Sequence, residues 1–81
     1  MRKITLKDVE QKADFVSRYL EDYSVRIKWY DNEPFLEYYY GWEGSDIVAG
    51  PSLSDCNNHL NYLIRRMGLK DIWIQEKNEL N

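Results

Sequence analysis

The first apolar residues of the chain recur three or four positions apart, which is the spacing of one face of an α-helix. This stripe predicts a helix over residues 6–22. Thr5 with Asp8 three residues later is typical of the capping box that begins a helix. Phe15 lies about 120° from the centre of the stripe, so we expect it on the outer side of the helix. The stripe consists of Leu6, Val9, Ala13, Val16 and Leu20.

Residues 24–30 alternate between apolar and polar side chains, which indicates a half-buried β-strand. The next four residues, DNEP, predict a turn, because Asp and Asn bond to the nearby backbone and proline presets its own φ angle. Residues 35–42 are rich in aromatic side chains that suit a pleated sheet, so they predict a second strand, with Gly41 as a candidate bulge. The two strands should pair as an antiparallel hairpin. A third, short strand is predicted over residues 46–49.

A second apolar stripe at helical spacing follows a Gly-Pro pair that ends the sheet region. Ser52 and Ser54 both suit the N-cap of this second helix. Gly68 predicts that the helix ends in a Schellman motif, in which Leu69 packs back on Ile64. The stripe consists of Leu53, Cys56, Leu60, Leu63, Ile64 and Met67.

The last apolar positions alternate over residues 71–75, which predicts a final strand, and the polar residues 76–81 predict a frayed tail. The predicted order of elements is α-β-β-(β)-α-β, and the predicted fold class is α+β. We expect a single two-layer domain over residues 1–81, in which two helices pack on one face of a small, mostly antiparallel sheet.

The alternation assigns each strand residue to a covered or an open face of the sheet. A slip of the hairpin register by one residue would exchange the two sets, so an inverted assignment is the alternative. The covered face is predicted to consist of Val25, Ile27, Trp29, Leu36, Tyr38, Tyr40, Ile72 and Ile74. The open face is predicted to consist of Arg26, Lys28, Tyr30, Phe35, Glu37, Tyr39 and Trp73.

Charge is distributed unevenly along the chain. The net charge of the 81 residues is −3, but residues 29–64 contain six acids and no Lys or Arg. The same window begins with WYDNEPFLEYYYGW, which contains seven of the twelve aromatic residues. Proteins bind nucleic-acid phosphates through clustered Lys and Arg, which is the opposite pattern, so we do not expect direct nucleic-acid binding.

Candidate catalytic and metal-binding chemistry is sparse. Cys56 and His59 stand three residues apart and are the one candidate pair of nucleophile and base. Cys56 lies in the middle of the second apolar stripe, however, so we expect a buried structural side chain. One Cys and one His are too few for a zinc site, and the acids match no calcium loop. We therefore expect no metal, no cofactor and no enzymatic activity.

The sequence also predicts a compartment. A single cysteine leaves no internal disulfide, and neither a leader segment nor an apolar run of membrane length is found. We therefore expect a cytoplasmic protein that does not enter a membrane.

The predicted order of helix, antiparallel sheet and helix resembles that of double-stranded RNA-binding domains. The resemblance implies basic residues at the start of the last helix, where those domains hold phosphates. Residues 51–55 read PSLSD and contain no Lys or Arg. The functional position of those domains is not reproduced, so the chain is not assigned to that family.

The combined pattern predicts a small acidic protein–protein interaction module. Aromatic residues concentrate binding energy at interfaces, and acids around them suit a partner with a basic surface, such as a nucleic-acid-processing enzyme. A specific version is an inhibitor of the anti-CRISPR or anti-restriction type that phages and mobile elements encode. The alternatives are single-stranded nucleic-acid binding through the open-face aromatics, and a homo-oligomeric structural domain such as a homodimer. The candidate partner-binding residues are Tyr30, Asp31, Glu33, Phe35, Glu37, Tyr39, Glu43, Asp46 and Trp73.

Overall fold

The computed structural model describes residues 3–80 and has the α+β fold that the sequence predicts. The three strands form one antiparallel sheet in the order β1-β2-β3, and α1 and α2 pack on the same face of it. Val25 and Leu36 point from this face into the apolar core. The elements are α1 (Leu6–Ser17), β1 (Ser24–Tyr30), β2 (Glu33–Tyr39), a 3-10 turn (Gly41–Glu43), β3 (Ser45–Ala49), α2 (Leu53–Arg66) and α3 (Lys70–Leu80).

Helix α1 begins with the predicted capping box but ends at Ser17 rather than at Asp22. The backbone N–H of Asp8 donates to the Thr5 hydroxyl, and the backbone N–H of Thr5 donates to the Asp8 carboxylate. The Ser17 hydroxyl accepts from the N–H of Val25 at 2.9 Å and donates to its carbonyl at 3.1 Å. This side-chain bond ties the end of the helix to the start of β1, so the chain turns there instead of continuing as a helix.

The hairpin between β1 and β2 is tighter than the four-residue turn that the sequence predicts. Asp31 and Asn32 alone form the turn, with φ angles of 52° and 65°. Asp and Asn tolerate this left-handed backbone, and a two-residue turn of this kind matches the twist of the paired strands. Pro34 is therefore part of β2, where it lies opposite Trp29.

The irregularity in the sheet is not at Gly41, which belongs to the 3-10 turn. The register of β2 and β3 shifts instead between Leu36, which lies opposite Ala49, and Glu37, which lies opposite Ile47. One additional residue on β3, Val48, is accommodated by this bulge. Val48 and Ala49 both pack against the core as a result.

Helix α2 has both predicted ends. The Ser52 hydroxyl accepts from the N–H of Asp55 at its start. At its end Gly68 adopts a φ angle of 70° and donates its N–H to Arg65, while Leu69 donates to Ile64 at 2.9 Å. These two bonds are those of a Schellman motif. The predicted stripe is confirmed, since Cys56, Leu60, Leu63 and Ile64 are buried, and Leu53 and Met67 pack against them.

The predicted last strand is wrong, because residues 70–80 form helix α3. The alternation over residues 71–75 spans too few positions to separate a strand from a helix by periodicity. Helical geometry places Trp73 against Phe15, with ring centroids 5.0 Å apart, and leaves Ile72 and Ile74 about half exposed. Within the described residues, the predicted tail is part of this helix as far as residue 80, and residue 81 lies outside them.

The prediction that Phe15 lies outward is also wrong, because its side chain is fully buried. Phe15 is on the flank of α1 that α3 covers, and Trp73 and Tyr19 both contact its ring. Arg18, the C-cap residue that follows α1, also forms an ion pair with Glu76 on α3. A third helix that the sequence pattern did not predict thus converts the outer flank of α1 into core.

The predicted covered face needs four corrections. Tyr40 is not a sheet residue, because β2 ends at Tyr39 and Tyr40 directly precedes the 3-10 turn. Trp29 is half exposed at the hairpin end of the sheet and is not among the side chains that pack against the core. Ile72 and Ile74 are not sheet residues at all, because they belong to α3. The hairpin register itself is the predicted one, since Val25 lies opposite Tyr38 and Ile27 opposite Leu36 on the side of the helices. No helix among the described residues is long and apolar enough to cross a membrane.

Candidate functional site

The sheet face that α1 and α2 leave uncovered carries four of the nine predicted binding residues, which are Tyr30, Phe35, Glu37 and Tyr39. Arg26 lies opposite Glu37 in the β1–β2 register, and Lys28 lies opposite Phe35. These residues alternate with Val25 and Leu36, which point into the core, so they project from the other face of the sheet. We call this surface the open face; it consists of Arg26, Lys28, Tyr30, Phe35, Glu37, Tyr39 and Ile47.

Glu37 is buried at the centre of the open face, with 1% of its surface exposed. One carboxylate oxygen accepts from the Arg26 Nε at 2.7 Å, and the other accepts from the Tyr30 hydroxyl at 3.1 Å. Burial alone would raise the pKa of Glu37, but the hydrogen bonds from Arg26, Tyr30 and Ser45 and the charge of Arg26 lower it below its ordinary value. Glu37 is therefore a carboxylate whose negative charge is compensated within the protein by Arg26 and by the donated hydrogen bonds.

Aromatic rings and the Arg26 guanidinium cover this carboxylate. The guanidinium carbon of Arg26 lies 3.8 Å from the centroid of the Tyr39 ring, which is a close cation–π contact. Tyr30 meets Phe35 edge to face, with centroids 5.7 Å apart. Each ring is thus held by a neighbour as well as by its own strand. The open face is thus a set of side chains that are linked to one another by hydrogen bonds and ring contacts.

The outer surface of the open face is mixed in character. Ile47 is 55% exposed, Tyr30 is 42% exposed and Tyr39 is 37% exposed. Lys28 is exposed beside them, and half of the Arg26 side chain is covered. Because the charge of Glu37 is buried and matched by Arg26, no unmatched acid lies at the centre of this surface.

The predicted ring of acids around the aromatic residues is divided between the two ends of the sheet. Asp31 and Glu33 lie at the hairpin between β1 and β2. Glu43 lies at the opposite end, in the 3-10 turn, and Asp46 is near it on β3 but points toward the helix side. Trp73, which was assigned to the open face, lies on α3 and packs on α1.

Trp42 is a further candidate binding residue; the sequence predicts it in a strand, but it lies in the 3-10 turn. Its side chain is 94% exposed, the most of any large apolar residue described. The turn that carries it is closed by bonds from the N–H of Tyr40 to Gly44 and from the N–H of Gly44 to Gly41. Both glycines have positive φ angles, 74° and 111°, which other residues rarely adopt. The sequence signal was present, since a Trp between two glycines is typical of a turn rather than of a strand interior.

Cys56 and His59 have separate partners. The Cys56 thiol is buried, lies 3.8 Å from the carbonyl of Pro34, and has its pKa raised by burial. The Tyr38 hydroxyl lies 2.6 Å from Nε2 of His59, and burial lowers the pKa of that imidazole. A buried thiol with a raised pKa is a poor nucleophile. In the part of the chain that the structure describes, no cluster of three His, Cys, Asp or Glu side chains is placed to hold a metal ion.

Comparison with protein-family models, with curated proteins and with solved structures finds no match.

Proposed function

We propose that this chain is a small protein-binding module that docks through its open face. The observation that supports the proposal is the burial of Glu37 on a sheet face that no helix covers. A carboxylate fixed by Arg26 and Tyr30 holds the surrounding rings in place before any partner arrives. Docking then orders few additional side chains, and each rotamer-rich side chain that is already fixed saves about 0.5–1.5 kcal/mol of binding free energy.

The residue types on this face support the same proposal. Tyr and Arg are enriched among the residues that dominate interface energetics, because they combine a large contact area with hydrogen-bonding groups. Tyr30, Tyr39 and the apolar Ile47 are all partly exposed there. Trp42 extends from the 3-10 turn at one end of the sheet and is a further candidate anchor.

The proposed partner has a basic surface. Asp31 and Glu33 at one end of the sheet and Glu43 at the other are exposed and carry negative charge. Arg26 and Glu37 cancel each other at the centre. A partner with an apolar centre flanked by Lys and Arg complements this arrangement, and the opposite charges steer the encounter. Nucleic-acid-processing enzymes present such surfaces, so an inhibitor of one in the cytoplasm is the specific form of the proposal.

Single-stranded nucleic-acid binding is the competing function, and one observation favours it. Burial of Glu37 removes a charge that would repel phosphates beside Arg26 and Lys28. Against it, the ring of Tyr39 is already occupied by the Arg26 guanidinium, and Tyr30 already contacts Phe35. Bases need free ring faces on which to stack. A second copy of the chain on the same face is the other alternative.

The test uses two matched substitutions at half-exposed isoleucines. Ile47→Lys alters the open face, and Ile72→Lys alters α3; the two side chains are 55% and 45% exposed. Proteins captured from the native host by the wild type are identified at low and at physiological salt. The proposal expects the captured proteins to be basic. The Ile72→Lys variant should still capture them, and the Ile47→Lys variant should not. Their binding should weaken as salt screens the exposed charges.

The same variants separate the alternatives. Retention of all captured proteins by Ile47→Lys, or capture of acidic proteins alone, would contradict the proposal. Fluorescence anisotropy with labelled poly-T and poly-U is expected to show no binding at physiological salt; binding that Lys28→Ala abolishes would favour the nucleic-acid alternative. Light scattering that shows a dimer disrupted by Ile47→Lys would favour the second copy.

A further inference from the structure

The outer edge of β1 carries backbone groups that the sheet does not use. The strand order is β1-β2-β3, so β1 has a neighbouring strand on one side only. Both backbone groups of Val25 bond to the Ser17 hydroxyl and therefore point away from β2. Because the bonding direction alternates along an antiparallel strand, Ile27 and Trp29 also point their N–H and C=O groups outward. Within residues 3–80, no hydrogen bond reaches these groups of Ile27 and Trp29.

The hairpin end of this edge is accessible to another chain. Lys28 and Trp29 are exposed, with 51% of the Trp29 surface open to solvent, whereas Val25 is buried. The other edge of the sheet, β3, is less suited to pairing, because its five residues include the bulge at Val48. An extended edge with free N–H and C=O groups accepts a further strand through main-chain hydrogen bonds. The sheet is therefore extended most readily at β1.

The side chains along this edge specify the kind of strand that fits it. Lys28 projects from the open face, and in the described part of the chain its ammonium has no ion pair and no hydrogen bond. Arg26, in contrast, is already paired with Glu37. Ile27 and Trp29 lie on the helix side, where Ile27 packs at the margin of the core and Trp29 is half exposed. An added strand meets a free cation on one face and apolar side chains on the other.

A second copy of the chain does not supply a suitable strand. In a two-fold antiparallel pairing of β1 with itself, the position of one residue fixes the partner of every other residue. If Ile27 lies opposite Trp29 of the second copy, Lys28 lies opposite Lys28. If Ile27 lies opposite Ile27, Lys28 lies opposite Arg26, and like charges directly opposite each other destabilise a pair. If Trp29 lies opposite Trp29, Ile27 meets Asp31, whose φ angle of 52° is not that of a strand.

We infer that the edge of β1 binds an extended segment of another protein, which pairs antiparallel with residues 27–29 and places an acidic residue opposite Lys28. The residues on either side of the acid lie opposite Ile27 and Trp29, bond to their backbone groups and direct apolar side chains toward the helix side. The recognised pattern is therefore an acidic residue between two apolar residues of a strand. This inference is independent of docking on the open face, because main-chain groups at the edge carry it.

The first test uses a synthetic peptide, Ser-Thr-Val-Glu-Val-Thr-Ser, as the probe. It is titrated into isotope-labelled protein whose amide resonances are followed by NMR. The expected result is a saturable shift of the Ile27 and Trp29 amides, with slower hydrogen exchange at both N–H groups. Replacement of the peptide glutamate by lysine should weaken binding about tenfold, because an attractive cross-strand pair becomes a repulsive one.

N-methylated peptides test the main-chain bonds. The N–H groups of the two valines face β1 in the inferred pairing, whereas that of the glutamate faces away. A peptide that is N-methylated at both valines should therefore not bind. The same peptide N-methylated at the glutamate is the matched control and should still bind.

Charge reversal in the protein tests the register. Lys28→Glu should weaken the glutamate peptide about tenfold and should bind the lysine peptide more tightly than the wild type does. Lys70→Glu makes the same charge change at an exposed position on α3 and should alter neither affinity. Circular dichroism verifies that both variants are folded.

Three results would overturn the inference. They are an absence of saturable shifts at Ile27 and Trp29, equal binding of the peptides with and without N-methylated valines, and equal effects of Lys28→Glu and Lys70→Glu. A dimer detected by light scattering without peptide, with concentration-dependent shifts at the same two amides, would assign the edge to a second copy instead.

Discussion

Two neighbouring residues of β2 show how differently the two faces of the sheet are built. Tyr38 points toward the helices, where its hydroxyl bonds to His59 on α2. Glu37 points the opposite way, where no helix lies, and yet it is the more deeply buried of the two. Its cover consists of side chains from its own sheet. The helix side of the sheet is buried by a second layer of secondary structure. The open face is partly buried by side chains of the sheet itself.

The difference indicates that the two faces of the sheet have different roles. On the helix side, apolar area removed from water supplies stability, as at the fully buried Leu36. On the open face, cross-strand contacts between Arg26, Glu37 and Tyr30 organise a polar group that water would otherwise solvate. A buried ion pair contributes little net stability compared with an apolar replacement. What it supplies here is a defined arrangement of the exposed rings.

The largest expected effect comes from truncation on the helix side. Leu36→Ala should lower the free energy of unfolding by about 2–5 kcal/mol, because it leaves a cavity in a close-packed core. Ile47→Ala on the open face is the matched control and should change it by at most about 0.5 kcal/mol, since Ile47 is 55% exposed. Denaturant unfolding measures both. Equal losses at the two positions would mean that the open face is buried in solution, for example by a second copy.

A smaller loss is expected when the carboxylate of the open face is altered. Glu37→Gln keeps the side-chain shape but removes the charge that Arg26 meets, and should cost about 1–3 kcal/mol. Arg26→Met combined with Glu37→Leu should be closer to neutral, because an apolar pair needs no compensation. Urea titration at neutral pH compares the two. A double variant that is less stable than Glu37→Gln would contradict the view that this pair provides order rather than stability.

The pH dependence of stability should separate the two faces into two ranges. The pKa of His59 is lowered from 6.5 by burial, so its contribution is complete above pH 6.5 and is lost as the pH falls through the lowered value. The pKa of Glu37 is lowered from 4.5, so its contribution is complete above pH 4.5 and is lost at still lower pH. As the pH falls, the stabilising contribution of His59 on the helix side should therefore be lost first, and that of Glu37 on the open face second.

The variants for this test are His59→Gln and Glu37→Gln, each compared with the wild type across urea titrations between about pH 3 and 8. His59→Gln should flatten the dependence below pH 6.5, and Glu37→Gln should flatten it below pH 4.5. A wild-type stability that increases as the pH falls from 6.5 would show that the imidazole is favoured in its charged form in the fold.

The smallest effect on stability is expected at the most exposed aromatic residue. Trp42→Ala should change the free energy of unfolding by at most about 0.5 kcal/mol, because its side chain is 94% exposed. Trp73→Ala is the comparison and should cost several times more, since that ring packs on Phe15. Thermal unfolding of the two variants measures this difference in stability. If Trp42→Ala were as damaging as Trp73→Ala, Trp42 would have a structural role and would not be available to a partner.

Local chemistry by itself determined the start of α1, both ends of α2 and the faces of the hairpin. Thr5 with Asp8, Ser52, and the Gly68–Leu69 ending all formed as predicted, because each motif is completed by residues within a few positions of one another. The alternation over residues 24–30 likewise identified β1 and its buried face, since a strand repeats every two residues.

Only the tertiary structure decided which outward residues became buried. Phe15 is core because α3 covers it, and α3 is a helix although residues 71–75 alternate like a strand. Glu37 was predicted to lie on the open face, and it does, but its burial depends on contacts with Arg26, Tyr30 and Ser45 on other strands or across the turn. Periodicity reports which side of an element a residue occupies. What covers that side is set by residues far away in the chain, whose approach is favoured only once the whole fold has formed.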